Sequence, residues 1–392
     1  MRKTKILFML SSMNIGGVEK SLLSLLSIIP KDKYDVTILL LEKKGGFLDS
    51  IPEWVRIEET TWFEDVKPII MESPKRTLKN YMNKKQYINI PSFVCSYLIS
   101  KYLDNRFVYY QHVLKSVPHH INTYDVAVSY QGPTDIIDYY IANKVTATQK
   151  ISWVHFDVYK HMMNQKLYEK LYKRFDKIFV VSKEAKNHLI AKIPTIKNKT
   201  DVFNNIVSSK IIHNMSKEPI NLYDGFKGMK IVTVGRLSKE KGQDIAIYVL
   251  YKLLQEGYQV RWYCVGEGSA RKEYERLIHQ YNLVNDFILL GSTPNPYPII
   301  ANADIYVQTS RHEGYCLTLA EAKCLSKPIV TTNFTGANEQ IKDGYNGFIV
   351  ENDEGLYEKI KYMIDNPFER NRLIKTLTTI NCEETTPKVF NI

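Results

Sequence analysis

Glu313 and Glu321 lie eight residues apart in the stretch RHEGYCLTLAEAKCLSKPIV. The stretch reads as a loop, a tight glycine turn, an amphipathic helix and a buried strand. Glu313-Gly314 is expected where the loop becomes the helix, beside free backbone N–H groups and the positive end of the helix dipole. Glu321 then falls about two turns further on, roughly on the same face. The backbone of Gly314, Tyr315, Cys316, Leu317 and Thr318 opens that helix. N–H groups hold a phosphate, and carboxylates accept hydrogen bonds from hydroxyls. The pattern therefore suits a ligand with both. Solvated glutamates share this spacing, so the pair gains meaning only from its company.

Three other constellations follow apolar runs. Gly16 and Gly17 come after the first run, in NIGG, where paired glycines let a backbone approach a ligand and free N–H groups at a helix start. The pattern is not GxGxxG, so a dinucleotide fingerprint is unsupported. Arg236 directly follows a second apolar run, with Lys241 five residues on, in GRLSKEKG. A guanidinium fork and an ammonium at one strand end suit a diphosphate. His155 ends the run KISWVHF, where it could bond a sugar hydroxyl or serve as an ordinary structural histidine. Phe156 separates it from Asp157, to which no catalytic role is assigned.

These residues need elements to hold them. Strands are expected at 5–10, 34–42, 125–130, 150–156 and 177–182, then at 229–237, 260–266, 287–292, 304–310, 328–333 and 347–350. A helix is expected at 17–29, with Leu22, Leu23, Leu25, Leu26 and Ile29 apolar, and another at 354–366 that closes the second domain or leans on the first. Apolar runs alternating with helices mean α/β architecture with parallel sheets covered on both faces. The expected plan is two doubly wound, Rossmann-like domains facing across a cleft. Residues 1–205 form the first domain, 206–370 the second and 371–392 a tail, with 204–228 as a polar linker. Ligands belong at the carboxyl ends of the strands.

At 392 residues with 44% hydrophobic content, two soluble globular domains are the natural expectation. The early run ILFML is too short for a signal peptide, and no apolar stretch approaches a membrane span. Five scattered cysteines without CxxC spacing fit free thiols in a reducing compartment. Residues 1–205 hold 31 Lys and Arg against 20 Asp and Glu, whereas 206–392 hold 22 of each. The excess charge therefore belongs to the first half, and is densest with aromatics over 67–115. That mixture suits either a peripheral membrane surface or a solvated helix pair. Nucleic acid is not expected, because no motif for it occurs.

The runs VGRLSKEKG, VGEG, ADIYVQTSRHEGYCLTLAEAKCLSKPIV and QIKDGYNGFIV closely resemble the retaining nucleotide-sugar glycosyltransferases of the GT-B fold, family four, over roughly 229–352. The resemblance implies that Glu321 holds the donor ribose and that Glu313 meets the transferred sugar. It implies that Arg236 and Lys241 neutralise the diphosphate, that Gly17 belongs to a loop closing on the phosphates, and that His155 contacts the sugar. It implies a hexose or N-acetylhexosamine donor, with a uridine diphosphate sugar expected, and a glycan acceptor in surface or capsular polysaccharide synthesis; the expectation that this glycan sits on a lipid carrier rests on the basic first half. A cytoplasmic enzyme, at the inner face of the plasma membrane, follows. No Asp-x-Asp occurs, so no metal cofactor is expected. A 2-epimerase or phosphorylase of the same architecture, or a non-catalytic sugar-nucleotide binder, are the alternatives.

Overall fold

The computed structural model describes residues 2–159, 163–220 and 225–380. They form two units. The first comprises residues up to Asn14, Ile29–Val181 and Ala185–Phe203, and the second comprises Ile15–Ile28, Ser182–Glu184 and the chain from Asn204 on. The glycine loop and the helix after it, Gly17–Ile28, thus count with the second unit rather than with the strand that precedes them.

The first unit holds β1 (Thr4–Leu10), β2 (Tyr34–Leu40), β3 (Arg56–Glu59), β4 (Thr123–Gly132), β5 (Thr146–Val154), β6 (Lys177–Val180) and β7 (Thr200–Val202). All pair in parallel, in the order β3-β2-β1-β4-β5-β6-β7. Ile6–Leu10 are fully buried, as a strand covered on both faces requires. The short strands β3 and β7 were not expected from sequence. Arg56–Glu59 shows no buried residue, and Thr200–Val202 spans only three positions, so neither carries an apolar run.

The second unit repeats the plan. It holds β8 (Met229–Val234), β9 (Val260–Val265), β10 (Phe287–Gly291), β11 (Ile305–Gln308), β12 (Ile329–Thr332) and β13 (Phe348–Val350), in the order β10-β9-β8-β11-β12-β13. The helix Gln243–Gln255 buries Ile245, Ala246, Ile247, Val249, Leu250 and Leu253 against that sheet. Two segments of this unit differ from expectation. The polar stretch after 204 contains the helix Ser209–Met215, capped by Ser208 Oγ on the Ile211 N–H and anchored by buried Ile212. The tail begins later than residue 371, because the helix Pro367–Thr379 buries Leu373 and Leu377 on an i,i+4 stripe. The rest of the expected tail, 381–392, lies outside the described residues. The helix Asp353–Asp365 packs on the second unit, sending Leu356, Tyr357, Ile360 and Met363 into its core.

In each sheet the strand order reverses direction once, between β1 and β4 and between β8 and β11. Such reversal points open a crevice at the carboxyl ends of the strands, where ligands bind in open α/β sheets.

Candidate active site

The reversal point of the second unit gathers most of the residues singled out by sequence. Gly235 and Arg236 follow β8, and Arg236 is exposed. Their carbonyl oxygens accept from Gln243 Nε2 at 3.4 and 2.9 Å, so the turn is tied to the helix that follows. Lys239–Lys241 form one 3-10 turn, and Gly242 has φ 67°. A Cβ at Gly242 would lie 2.2 Å from the Thr309 carbonyl oxygen, so this strand-to-helix corner needs glycine. Thr309 Oγ1 donates to the Lys241 carbonyl at 2.8 Å and fixes that lysine beside the end of β11.

The Lys241 ammonium bonds Glu313, both side chains being largely buried. Ser310 Oγ donates to the same carboxylate oxygen at 2.9 Å. Behind Ser310 stands a buried relay, with Gln308 Nε2 donating to Ser310 Oγ at 2.7 Å and Tyr306 OH donating to Gln308 Oε1 at 2.6 Å. The relay fixes the Glu313 rotamer from inside the sheet, and sequence spacing gives no sign of it. Arg311 is bound elsewhere, in a fork on Asp244 at 2.8 and 2.6 Å.

The helix start differs from expectation. The helix runs Leu317–Cys324, so Glu313 and Gly314 precede it in the loop and only Glu321 is helical. The physical cause is Cys316, whose φ of 64° breaks the helical path just before Leu317. Gln340 Nε2 holds this bend by bonding the Tyr315 and Cys316 carbonyl oxygens. Leu317 and Thr318 form the first turn, with backbone N–H groups free of intrahelical partners as at any helix start. The two glutamates therefore do not share a helical face; the loop carries one and the helix the other.

Glu321 is 2% exposed. Its Oε1 accepts from the Lys20 ammonium at 2.7 Å and from Tyr297 OH at 3.2 Å, while its Oε2 is buried without a hydrogen-bond partner. Lys20 lies in the first turn of the helix Gly17–Ile28, directly after the Gly16-Gly17 loop. Gly17 itself has open space above its Cα, with Leu317 Cδ1 nearest at 4.0 Å. Glu19 folds back over the loop, so that a Cβ on Gly16 would meet its Oε2 at 2.5 Å. Burial pushes the Glu19 carboxyl up to about 7, opposed by its own backbone N–H and by the Arg236 charge. Lys20, Glu19, Ser310 and Tyr297 are the site residues that spacing does not single out. The run GGVEK, with two charges directly behind a glycine pair, is the available signal for the first two.

His155 belongs to the first unit, one residue past β5. Its N–H donates to the Gly132 carbonyl at 2.9 Å, and its ring is buried against Tyr130 and parallel to Trp153. Burial depresses its pKa to about 3, opposed by a hydrogen bond with the Tyr130 backbone, and Nε2 is buried without a partner. The ring is therefore a neutral imidazole with one unused nitrogen. Asp157 is occupied by structure, its Oδ1 accepting from Tyr159 N–H at 3.0 Å and bonding His188 Nδ1 at 2.9 Å.

The reversal point of the first unit opens a cavity of about 370 Å³ lined by Ser11, Phe63, Ile70, Tyr110, Thr134 and Met163 among others. Its charged groups are paired, Arg106 with Asp135 at 3.0 Å and Glu42 with Lys67 at 2.6 Å. Beneath it, fully buried Asp138 accepts from Ser129, Ser152, Tyr168 and the Thr134 N–H, and burial raises its pKa to about 6. Among the described residues no group of three or more His, Cys, Asp or Glu side chains is placed to hold a metal ion.

Residues 226–378 match the family described as glycosyl transferases group 1. The chain is 26% identical over 358 residues to N-acetylgalactosamine-N,N'-diacetylbacillosaminyl-diphospho-undecaprenol 4-alpha-N-acetylgalactosaminyltransferase of Campylobacter jejuni, covering 91% of this chain and 88% of that one. It is 28% identical over 222 residues to an uncharacterized glycosyltransferase of Methanocaldococcus jannaschii, a match that spans 52% of this chain and about half, 54%, of the relative. Among solved structures, Anabaena HepE in complex with UDP and glucose superposes with a TM-score of 0.70 at 19% identity, covering 96% of this chain and 94% of that one. Staphylococcus aureus TarM, in complex with Fondaparinux, alpha-GlcNAc-glycerol and UDP, gives 0.69 at 14% identity over 98% and 97%. The fold is GT-B, and residues 226–378 carry a domain of the glycosyl transferases group 1 type.

Proposed function

We propose that this group 1 glycosyltransferase moves a hexose or N-acetylhexosamine from a nucleotide sugar, a uridine diphosphate sugar foremost, to a lipid-linked glycan, with retention of anomeric configuration. The product belongs to surface or capsular polysaccharide synthesis. One observation carries the reading: at the reversal point of the second sheet, Arg236, Lys241 and Glu313 stand with Glu321, whose Oε2 is buried and unpartnered. That set matches a ligand with a diphosphate at one end and hydroxyls at the other. The UDP and glucose bound to HepE support the donor, and the diphospho-undecaprenol in the name of the Campylobacter relative supports the acceptor.

Transfer breaks the bond between the anomeric carbon and the diphosphate oxygen. Negative charge grows on the leaving diphosphate, and the sugar becomes oxocarbenium-like. Arg236 and Lys241 stabilise that charge, and Lys241 moves from Glu313 to the phosphate as it binds. Backbone N–H groups of Gly16, Gly17 and the Gly314–Thr318 segment add to it. Glu313, held by Ser310, accepts from hydroxyls of the transferred sugar and faces the developing positive charge. Glu321 accepts from the ribose. His155 offers its unused imidazole nitrogen to a sugar hydroxyl. The two cations take the part that a metal plays elsewhere, so the reaction is metal-independent. The leaving diphosphate helps to take the proton of the attacking hydroxyl on the same face.

The first unit takes the acceptor. Its cavity supports this, since aromatic and apolar walls with paired charges favour a neutral sugar ring over an anion. The helices Pro74–Asn83 and Asn89–Tyr102 support contact with the cytoplasmic face of a membrane. Met82, Tyr87, Ile88, Tyr102 and Leu103 are exposed there beside Lys75, Arg76, Lys79, Lys84 and Lys85. No helix among the described residues is long and apolar enough to cross one.

A panel of nucleotide sugars tests the donor by thermal stabilisation, since a ligand of the folded state raises the melting point. Stabilisation by UDP-sugars and acceptor-dependent release of UDP are expected. Consumption of the donor without acceptor would replace the reading by an epimerase. Anionic vesicles should retain the chain at low salt and lose it when Lys75, Lys79, Lys84 and Lys85 become Ala; equal retention of both ends the membrane reading.

A further inference from the structure

We infer that Lys20 is a positioning residue for the donor: it holds Glu321 through Oε1, so that Oε2 is presented to one ligand hydroxyl. The inference rests on the donor-site reading above and adds to it a residue outside the second sheet's own turns.

Three observations carry it. Lys20 is half-buried, with its side chain 17% exposed, and its ammonium meets Glu321 Oε1 at 2.7 Å while lying 4.4 Å from the centre of the Tyr297 ring. Tyr297 OH donates to the same oxygen at 3.2 Å, and burial with the Glu321 charge keeps that phenol protonated. Both donors therefore converge on one oxygen and neither reaches the other. Glu321 Oε2 is buried with no partner, in a carboxylate that is 2% exposed. A pair serving stability alone is expected to satisfy both oxygens, because an unmet buried acceptor keeps its full desolvation penalty. The bare oxygen marks the ligand's place.

The chemistry of that oxygen selects the ligand group. A carboxylate oxygen only accepts, so a phosphate is repelled and a hydroxyl is favoured. Lys20 also makes the pair neutral. An uncompensated carboxylate there would repel the diphosphate held by Arg236 and Lys241. One lysine thereby sets the orientation of the hydroxyl acceptor and removes its charge from the phosphate site. Lys20 also lies one helical turn past Gly16, and its N–H donates to the Gly16 carbonyl at 3.0 Å. That bond ties the glycine loop to the residue that orients Glu321.

Calorimetric titration with UDP and with 2′,3′-dideoxyuridine diphosphate tests this on the full chain and its K20M, K20R, E321Q and K20M/E321Q variants. The wild type should prefer UDP. Lys20→Met should weaken UDP by about 10–100-fold, the range for losing hydrogen bonds to a charged group, and should no longer distinguish the two ligands. Lys20→Arg should recover most of both properties. In the Glu321→Gln background the Lys20→Met change should cost little, as expected if the lysine acts through the glutamate. Equal weakening of both ligands by K20M, with their ratio unchanged, would reduce Lys20 to a structural role and overturn the inference. So would K20M binding UDP like the wild type. Should K20M fail to fold, undiminished hydroxyl preference in E321Q overturns it equally. A wild type that binds neither ligand overturns the donor reading itself, whereas tight UDP binding with a wrong Lys20 pattern overturns this inference alone.

Discussion

The two units carry the same doubly wound plan and the same kind of crevice, yet the crevices differ in chemistry. At the β8/β11 reversal stand Arg236, Lys241, Glu313 and Glu321, with Arg236 exposed and Glu321 unmet on one oxygen. At the β1/β4 reversal the walls are Phe63, Ile70, Tyr110 and Met163, and the charges lining them are mutually paired. Topology supplies the place, and side chains supply the ligand class. A polar crevice that holds the exposed Arg236 guanidinium besides its Lys241–Glu313 and Lys20–Glu321 pairs suits a charged ligand. One whose charges are already matched suits a neutral face.

That contrast can be broken experimentally. The largest effect should come from Lys241→Ala, which on the proposed mechanism removes a cation from the developing diphosphate charge. Turnover should fall about 10²–10³-fold, the range for deleting one such donor, and steady-state kinetics would read it. An unchanged rate would remove the charged crevice from the chemistry. Ile70→Trp should instead narrow the first unit's cavity, raising the acceptor KM about tenfold, equivalent to ~1.4 kcal/mol. UDP affinity should stay as it was. A loss in UDP affinity instead would mean that the two crevices do not divide the substrates.

Glu19 sharpens the contrast through pH. Its pKa in the folded chain, about 7, lies above the ordinary value of 4.5. The folded state therefore holds its proton more tightly than the unfolded state. The contribution to stability is complete below the ordinary value and is lost as pH rises through about 7. Melting curves should show the wild type losing stability relative to Glu19→Gln between about pH 5 and pH 8, by on the order of 1–3 kcal/mol. Parallel profiles would mean that this carboxyl is not buried beside the glycine loop. The smallest effect is expected from Asp157→Asn. It weakens the bonds to Tyr159 and His188, should cost ~1 kcal/mol of stability, and should leave turnover as in the wild type. A large fall in turnover would give Asp157 the role denied to it.

The strands with apolar runs are legible in sequence to within a few residues. Ile6–Leu10 and Ile231–Val234 announce buried parallel strands because both faces are covered and every position is apolar or nearly so. β3 is not legible, since its Arg-Ile-Glu-Glu carries no such signal at the edge of a sheet. The helix Ser209–Met215 hides for a related reason, with one buried residue, Ile212, in a segment otherwise exposed or half-buried. Periodicity places Glu313 and Glu321 on one helix because it cannot reveal that Cys316 turns to φ 64° between them.

By itself the sequence determined which segments are strands and helices, where glycines and cations follow them, and which half carries the excess positive charge. These are properties of neighbouring residues, and local backbone geometry reads them directly. Tertiary structure alone decided that Lys20 meets Glu321, that Ser310 holds Glu313, and that His155 is a buried neutral ring. Those facts depend on distances between residues as far apart as 301 positions, and on water being excluded around them. Neither quantity exists until the chain has packed.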